Sequence, residues 1–133
     1  GRAEEARTLA EDTLTRQRRV LGDDHPDTLT TASNLASDLA DLGRAEEART
    51  LAEDTLTRQR RVLGDDHPDT LTTATNLAMY LADVGQAEEA RALAEDALTR
   101  RRRTLGDDHP DALRTVRFLE QLDAARRDPD IGE

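Results

Sequence analysis

The strongest constraint on the fold is a repeat of 42 residues. Residues 1–42 and 43–84 are identical except at four positions, three of which lie within one short segment. The differing pairs are Ser33/Thr75, Ser37/Met79, Asp38/Tyr80 and Leu42/Val84. A third copy, residues 85–126, follows the pattern closely as far as about Leu113 and then diverges. A period of this length indicates a solenoid, in which each unit buries its apolar face against the next.

Each period contains two helix-terminating signals. A lone glycine follows an apolar run at Gly43 and Gly85, as expected for a helix that ends in a left-handed cap. The sequence Gly-Asp-Asp-His-Pro-Asp occurs at 22–27, 64–69 and 106–111. Proline suits the first turn of a helix, and the residue before proline avoids the helical region. We therefore predict that the three histidines, His25, His67 and His109, lie at helix N-termini.

Two kinds of amphipathic helix lie between these signals. The B-type helix, for example Arg44 to Leu63, and the A-type helix, about Pro68 to Val84, each carry an apolar stripe at helical spacing. Short glycine links make neighbours antiparallel. The prediction is an all-α, right-handed α-solenoid of antiparallel helix pairs with about six helices over residues 1–126. Its parts are a B-type helix at 1–22, repeats at 23–64 and 65–106, a capping helix at 107–126 and a flexible tail at 127–133.

Composition excludes several classes of function. Aromatic residues are 2% of the chain and charged residues 36%, which favours slim Ala- and Leu-rich helices. There is no cysteine, so a disulfide framework or thiolate metal site is excluded. The net charge of −10 argues against nucleic-acid binding. No run reaches the roughly 18 apolar residues of a membrane span. We expect a cytoplasmic protein without a membrane or nucleic-acid partner.

The histidines do not predict a catalytic or metal site. They recur once per period, so equivalent positions are roughly 20 Å apart, the width of two helices. Ligands of one metal ion must lie about 2 Å from it. The chain also has no phosphate-binding glycine loop, nucleophile elbow or paired-carboxylate cleft. We expect no cofactor, no metal and no enzymatic activity, with the histidines serving as caps.

A family resemblance follows from the repeat. The run Asn76-Leu77-Ala78, then Leu81, Gly85 and Ala87-Glu88-Glu89-Ala90, resembles the tetratricopeptide motif. The 42-residue period and the Gly-Asp-Asp-His-Pro-Asp link resemble the long-helix variant of kinesin light chains, and the arrays attached to actinobacterial signalling ATPases. The resemblance implies a bacterial protein-interaction module whose A-type helices line a concave groove. It also leaves open a role as the sensor arm of a larger signalling ATPase.

The same resemblance indicates ligand-binding residues. The asparagine before Leu-Ala forms a ladder in some such grooves, so Asn34 and Asn76 are candidate contacts to a peptide backbone. The alternative is that each asparagine ties its helix to a neighbouring loop. The differences between copies one and two cluster on the A-type helix, as tuning for a ligand or drift after duplication would produce. Tuning adds five candidates: Ser33, Ser37, Thr75, Met79 and Tyr80.

Charge partition suggests the chemistry of a partner. Residues 23–42 carry five acids and no base, and residues 65–84 carry four acids and no base. A protein or peptide ligand that is basic would suit such a surface, although helix capping alone could explain several of these acids. A second hypothesis is self-assembly. Helices at the two ends of the array would expose faces normally covered by a neighbour, and these could dock head to tail.

Overall fold

The computed structural model describes residues 1–127, with side chains described as far as Ala125, and its architecture is all-α. Six helices and no strand occur in this part of the chain. They are α1 (Arg2–Val20), α2 (Pro26–Asp41), α3 (Ala45–Val62), α4 (Pro68–Asp83), α5 (Ala87–Leu105) and α6 (Pro110–Arg127). The all-α solenoid prediction is confirmed. The expected capping helix runs one residue further than predicted, to Arg127. Residues 128–133, the rest of the expected tail, lie outside the described residues.

Histidine caps begin the A-type helices α2, α4 and α6. His25 and His67 are extended N-cap residues followed by proline in the first turn. Nδ1 of each accepts a hydrogen bond from the backbone N–H two residues later, at 3.1 Å and 3.0 Å. His109 makes the same contact at 3.1 Å. This bond satisfies one of the free N–H groups of the first helical turn, so the predicted capping role is confirmed.

Glycine ends the A-type helices. Gly43 and Gly85 have φ of +79° and +87°, in the left-handed region that favours glycine. After α2, the N–H of Arg44 bonds to the carbonyl of Leu39, and the N–H of Gly43 bonds to that of Ala40. This paired arrangement is the Schellman motif. The chain reverses at these links, which brings α3 back along α2 and α5 back along α4.

The core is a continuous layer of leucine and alanine between successive helices. Each helix packs on the next in the chain, and α2 also contacts α4. Ala48, Ala52, Ala90 and Ala94 on the B-type helices are almost completely buried. Side chains this small let the helices approach closely, so the core needs few large residues. No helix in the described part of the chain is both long enough and apolar enough for a membrane span.

Ion pairs connect the start of α2 and of α4 to the B-type helix that follows. Asp24 bonds to Arg58 and Arg61 on α3, both at 2.8 Å. Asp66, its equivalent, bonds to Arg100 and Arg103 on α5, both at 2.9 Å. The guanidinium hydrogen bonds hold the pKa of both carboxyls below the ordinary aspartate value. These arginines therefore belong to a salt-bridged face.

Candidate functional site

The A-type helices share a surface that contains two cavities. We call this surface, formed by α2, α4 and α6, the A-face. A cavity of about 110 Å³ lies between α2 and α4, and one of about 330 Å³ lies between α4 and α6. The smaller cavity is lined by Thr30, Ser33, Asn34, Gln59, Asp69 and Thr72. The larger is lined by Thr72, Thr75, Asn76, Met79, Arg101, Asp111, Arg114 and Phe118.

Each cavity is built the same way from the repeat. Two A-type helices form its walls, and one residue of the intervening B-type helix reaches it from below. That residue is Gln59 in the smaller cavity and Arg101 in the larger, at equivalent positions of successive copies. Both are deeply buried, with 1% and 6% of the residue exposed. The repeat thus places a buried polar group under each cavity.

The two predicted asparagines lie in equivalent places. Asn34 is exposed and lines the smaller cavity, and Asn76 is half-buried and lines the larger one. Neither side-chain amide makes a hydrogen bond to any described residue. The described contacts therefore include no bond that ties either asparagine to a loop. Each amide leaves a donor and an acceptor for another molecule.

Three further predicted residues also line the cavities. Ser33 lines the smaller cavity, and its hydroxyl lies 3.2 Å from the hydroxyl of Thr73 on α4. Thr75 and Met79 line the larger one. Met79 is 40% exposed, so its side chain is accessible to a partner. Soft, flexible methionine side chains adapt to varied partners.

Ser37 and Tyr80 lie elsewhere. Tyr80 is 5% exposed and belongs to the core, and neither residue lines an A-face cavity. Burial raises the pKa of the Tyr80 phenol to about 12, and a hydrogen bond with Ser37 opposes that rise. Nearby carboxylates, led by Asp41, add to it. The difference Asp38/Tyr80 between copies one and two therefore changes the packing of the core.

Arg101 is the most unusual charged group on the A-face. Its Nη1 donates to Oγ1 of Thr75 at 2.8 Å and to Oγ1 of Thr115 at 3.0 Å. No carboxylate within residues 1–125 forms an ion pair with it. Burial lowers the pKa of its guanidinium, and repulsion from Arg114 adds a smaller decrease. Arg114 itself pairs with Asp111.

Sequence reasoning missed eight residues that line the cavities: Thr30, Gln59, Asp69, Thr72, Arg101, Asp111, Arg114 and Phe118. A signal was present for Arg101, since copies one and two both have glutamine at this position, Gln17 and Gln59. An internal comparison that included the third copy would have found it. Within the run of arginines at 100–103, residue type does not distinguish Arg101, whose side chain is buried, from its neighbours.

Larger cavities occur on the opposite side of the array. One of about 490 Å³ lies between α3 and α5, over Leu77 and Leu81 of α4. Its charged residues, Glu53, Arg60 and Glu89 among them, are all exposed at its edges. Binding sites combine an apolar wall with convergent polar groups. The A-face cavities have convergent polar groups, and the cavity between α3 and α5 does not. Among the described residues no group of acidic or histidine side chains could hold a metal ion.

Comparison with known proteins settles the family. The sequence model of the Tetratricopeptide repeat family matches residues 1–56, 27–103 and 72–130, three overlapping windows that span nearly the whole chain. The chain belongs to the tetratricopeptide repeat family. Such repeats generally mediate interactions between proteins, and their fold is generally a non-catalytic scaffold. No curated protein matches the chain.

Solved structures include close relatives of the fold. Two crystal structures of a candidate kinesin light chain from Podosopora anserina, with nearly identical TPR-like repeats, are 30% identical to this chain with a TM-score of 0.87. They match 92% of this chain and 57% or 58% of theirs. BtubC (BKLC) from P. vanneervenii has a TM-score of 0.86 at 22% identity, over 96% of this chain and 51% of its own, and supports the fold alone. The chain thus spans about half the length of the structures it matches.

Proposed function

We propose that the A-face binds an extended peptide segment of another protein. The observation that carries this proposal is the pair of asparagines, Asn34 and Asn76, which lie one repeat apart with amides that bond to no described residue. An extended peptide presents a backbone N–H and C=O in each unit, and a carboxamide can bond to both. Equivalent amides on successive helices suit a ligand that runs across α2 and α4.

The buried glutamine of the smaller cavity supports the same function. Oε1 of Gln59 is buried and has no hydrogen-bond partner among the described residues. A buried polar atom without a partner costs about 1–3 kcal/mol. A ligand N–H that reached this oxygen would recover part of that cost. The smaller cavity therefore offers two amide groups, from Asn34 and Gln59, to one stretch of peptide.

Charge favours a basic residue in the segment over the smaller cavity. Asp69 is the only charged residue that lines this cavity. A positive ligand would pair with this carboxylate and complement the net charge of −10.

The test is selection of peptide ligands followed by titration. Random peptides of about a dozen residues would be selected on the immobilised chain, and their affinities measured by calorimetry. The double substitution Asn34→Ala and Asn76→Ala should weaken a selected peptide at least about tenfold, since each lost hydrogen bond is worth about 1 kcal/mol. Gln86→Ala is the matched control because Gln86 is an exposed amide that makes no side-chain cap bond.

Backbone amide shifts would locate each bound peptide. The proposal predicts shifts concentrated on α2, α4 and α6. Shifts confined to α1, α3 and α5, or unchanged affinity in the double variant, would exclude the A-face as the binding surface. Replacing basic residues of the selected peptides with glutamine separately tests the preference for positive charge.

A second candidate function, head-to-tail association of two copies, is favoured by the ion pairs between A-type helices and the B-type helices that follow them. Asp24 and Asp66 each bind two arginines of the following B-type helix. The equivalent residues at opposite ends of the array are Asp108 on one side and Arg16 with Arg19 on the other. None of these three forms an ion pair with a described residue.

Apolar exposure at the first helix agrees with this candidate. Leu9 on α1 is 69% exposed, whereas its equivalent Leu51 is half-buried and packs on the core. Light scattering over a wide concentration range tests association. Asp108→Arg should abolish it, and mixing that variant with Arg16→Asp/Arg19→Asp should restore it by re-forming the pairs with reversed charge. A wild-type chain that stays monomeric at high concentration rules this candidate out.

A further inference from the structure

A groove lies between α3 and α5, on the side of the array opposite the A-face. Both helices pack on α4, but they have no comparable contact with each other among the described residues. The cavity that remains between them has a volume of about 490 Å³, and Leu77 and Leu81 of α4, one turn apart, form its floor. We call this cavity the B-groove.

The wall contributed by α5 has an apolar centre between two carboxylates. This wall consists of Glu89, Ala92, Leu93 and Asp96. Their spacing of i, i+3, i+4 and i+7 puts all four on one face of the helix. Both acids and Ala92 are exposed, and Leu93 is half-buried. The wall extends over two turns, about 10 Å along the helix axis.

The wall contributed by α3 has the same spacing and one difference in charge. It consists of Glu53, Leu56, Thr57 and Arg60. Both B-type helices run antiparallel to α4 and are therefore parallel to each other, so Glu53 and Glu89 lie towards the same end of the groove. Arg60 and Asp96 lie towards the other end, where their charges balance. The B-groove is therefore acidic at one end, apolar in the middle and neutral at the other end.

The two carboxylates of the acidic end remain able to bind a cation. Glu89 forms no ion pair with a described residue, and Glu53 pairs with Arg49 of its own helix. An exposed pair within one helix is weak, and a carboxylate has two oxygens that accept several donors. A lysine or arginine of a partner could therefore bond to both acids.

The neighbouring cavity between α1 and α3 shows what distinguishes the B-groove. It has the same volume of about 490 Å³, and α3 lines it with the residues equivalent to the α5 wall: Glu47, Thr50, Leu51 and Asp54. Thr50 stands there in place of Ala92, so its centre is more polar. Helix α1 contributes only Arg18 to that cavity. The B-groove thus has two complete walls and the more apolar centre.

We propose that the B-groove binds an amphipathic helix of a partner protein, with an apolar side chain against Ala92 and Leu93 and a basic side chain at Glu53 and Glu89. Two helical faces that flank a depression accept a ridge of side chains from a third helix. An apolar centre with charged edges is the usual composition of a protein interface, and the acidic end selects a basic residue. This surface is separate from the A-face, so the inference does not rest on the peptide-binding function.

The test uses designed helical peptides as probes, titrated into the whole chain at physiological salt. The basic probe is an alanine-rich helix of about 16 residues, roughly 24 Å long, with leucines at i, i+3, i+4 and i+7 and lysines beside them. One analogue has glutamate in place of every lysine. The other has the same composition with its leucines scattered around the helix. The basic probe should bind with saturation, at least about tenfold more tightly than either analogue.

Charge variants test the acidic end of the groove. Glu53→Gln/Glu89→Gln should weaken the basic probe at least about fivefold, because it removes both carboxylates that face the lysine. Glu5→Gln/Glu11→Gln is the matched control, since it removes the same two charges from the equivalent positions of α1, outside the groove. This control should change the affinity less than about twofold.

A blocking variant tests the apolar centre. Ala92→Arg places a bulky cation at an exposed position of the α5 wall and should weaken the basic probe at least about tenfold. Thr8→Arg puts the same side chain at the equivalent exposed position of α1 and should leave the affinity unchanged. Backbone amide shifts caused by the probe should concentrate on α3 and α5.

Several outcomes would overturn the proposal. These are no saturable binding of the basic probe up to about 1 mM, equal binding of the analogue with scattered leucines, or retained affinity in Ala92→Arg. The peptide-binding function is tested separately, because peptides selected for the A-face should bind Ala92→Arg as they bind the wild-type chain. Loss of the B-groove would therefore leave the A-face proposal standing, and the reverse holds as well.

Discussion

The Nη1 of Arg101 lies 2.8 Å from the hydroxyl of Thr75, so a buried cation of α5 is bonded to the wall of the A-face formed by α4. The contact links two differences between copies. Thr75 replaces Ser33, and Arg101 replaces Gln59. Ser33 instead contacts Thr73 of the neighbouring A-type helix. One pair of substitutions thus converts a cavity above a neutral amide into a cavity above an oriented guanidinium.

The first prediction concerns stability at this position. Arg101→Gln removes a buried charge that has no described counter-ion, and glutamine already occupies the equivalent site in α3. We expect the free energy of unfolding to rise by about 1 kcal/mol, since the lost hydrogen bonds to two threonines offset only part of the relieved burial cost. Urea denaturation measures it, with Arg102→Gln as the exposed control, expected within about 0.5 kcal/mol of wild type. A clear loss of stability would show that Arg101 is a structural element of the core.

The fold was predictable because its signals are local and repeated. Gly43, Gly85 and the His-Pro links mark helix ends by backbone chemistry that does not depend on tertiary contacts. The period of 42 residues then sets the packing of successive helices. The three copies carry the same signals, so the sequence gives independent evidence for each type of helix boundary more than once.

The site was only partly predictable because burial within a polar run is a tertiary property. Asn34 and Asn76 were found by resemblance and lie at the cavities. Tyr80 was assigned to the same surface but faces the core, since a shift of one residue along a helix turns a side chain by about 100°. Arg101 lies among four consecutive arginines, and only the positions of α4 and α6 make one of them buried.

A second prediction uses Tyr80, the only tyrosine of the chain. Its phenol should titrate near pH 12 in the folded protein, against about 10 in the unfolded chain, because burial favours the neutral form. The raised pKa contributes stability that is complete below about pH 10 and is lost as the pH rises through 12. Absorbance titration with and without urea measures both values. Coincident titration curves would mean that the phenol is accessible to water.

A third prediction concerns acid and the ion pairs of Asp24 and Asp66. The pKa of Asp24 and of Asp66 is lowered by hydrogen bonds from arginine, so their stabilising effect is present above the unfolded value of 3.8 and disappears as the pH falls through the folded values. The double variant Asp24→Asn/Asp66→Asn should melt below wild type at neutral pH. The difference should vanish in strong acid.

Thermal melts across acidic pH measure this convergence. Asp23→Asn/Asp107→Asn is the matched control, because both residues are exposed aspartates of the Gly-Asp-Asp-His-Pro-Asp links, in the first and the third copy, and neither forms a described ion pair. A constant gap between Asp24→Asn/Asp66→Asn and wild type at every pH would contradict the assignment to ionised pairs.

The final prediction tests the histidine cap at the central repeat. Nδ1 of His67 accepts from the N–H of Asp69 at 3.0 Å, which satisfies one of the free donors at the start of α4. His67→Ala removes the acceptor and should lower the free energy of unfolding by about 1 kcal/mol, whereas His67→Asn supplies another acceptor and should cost much less. Denaturation of the two variants side by side gives the comparison. Equal losses would show that the imidazole contributes through packing in the link, because only alanine lacks the capping group.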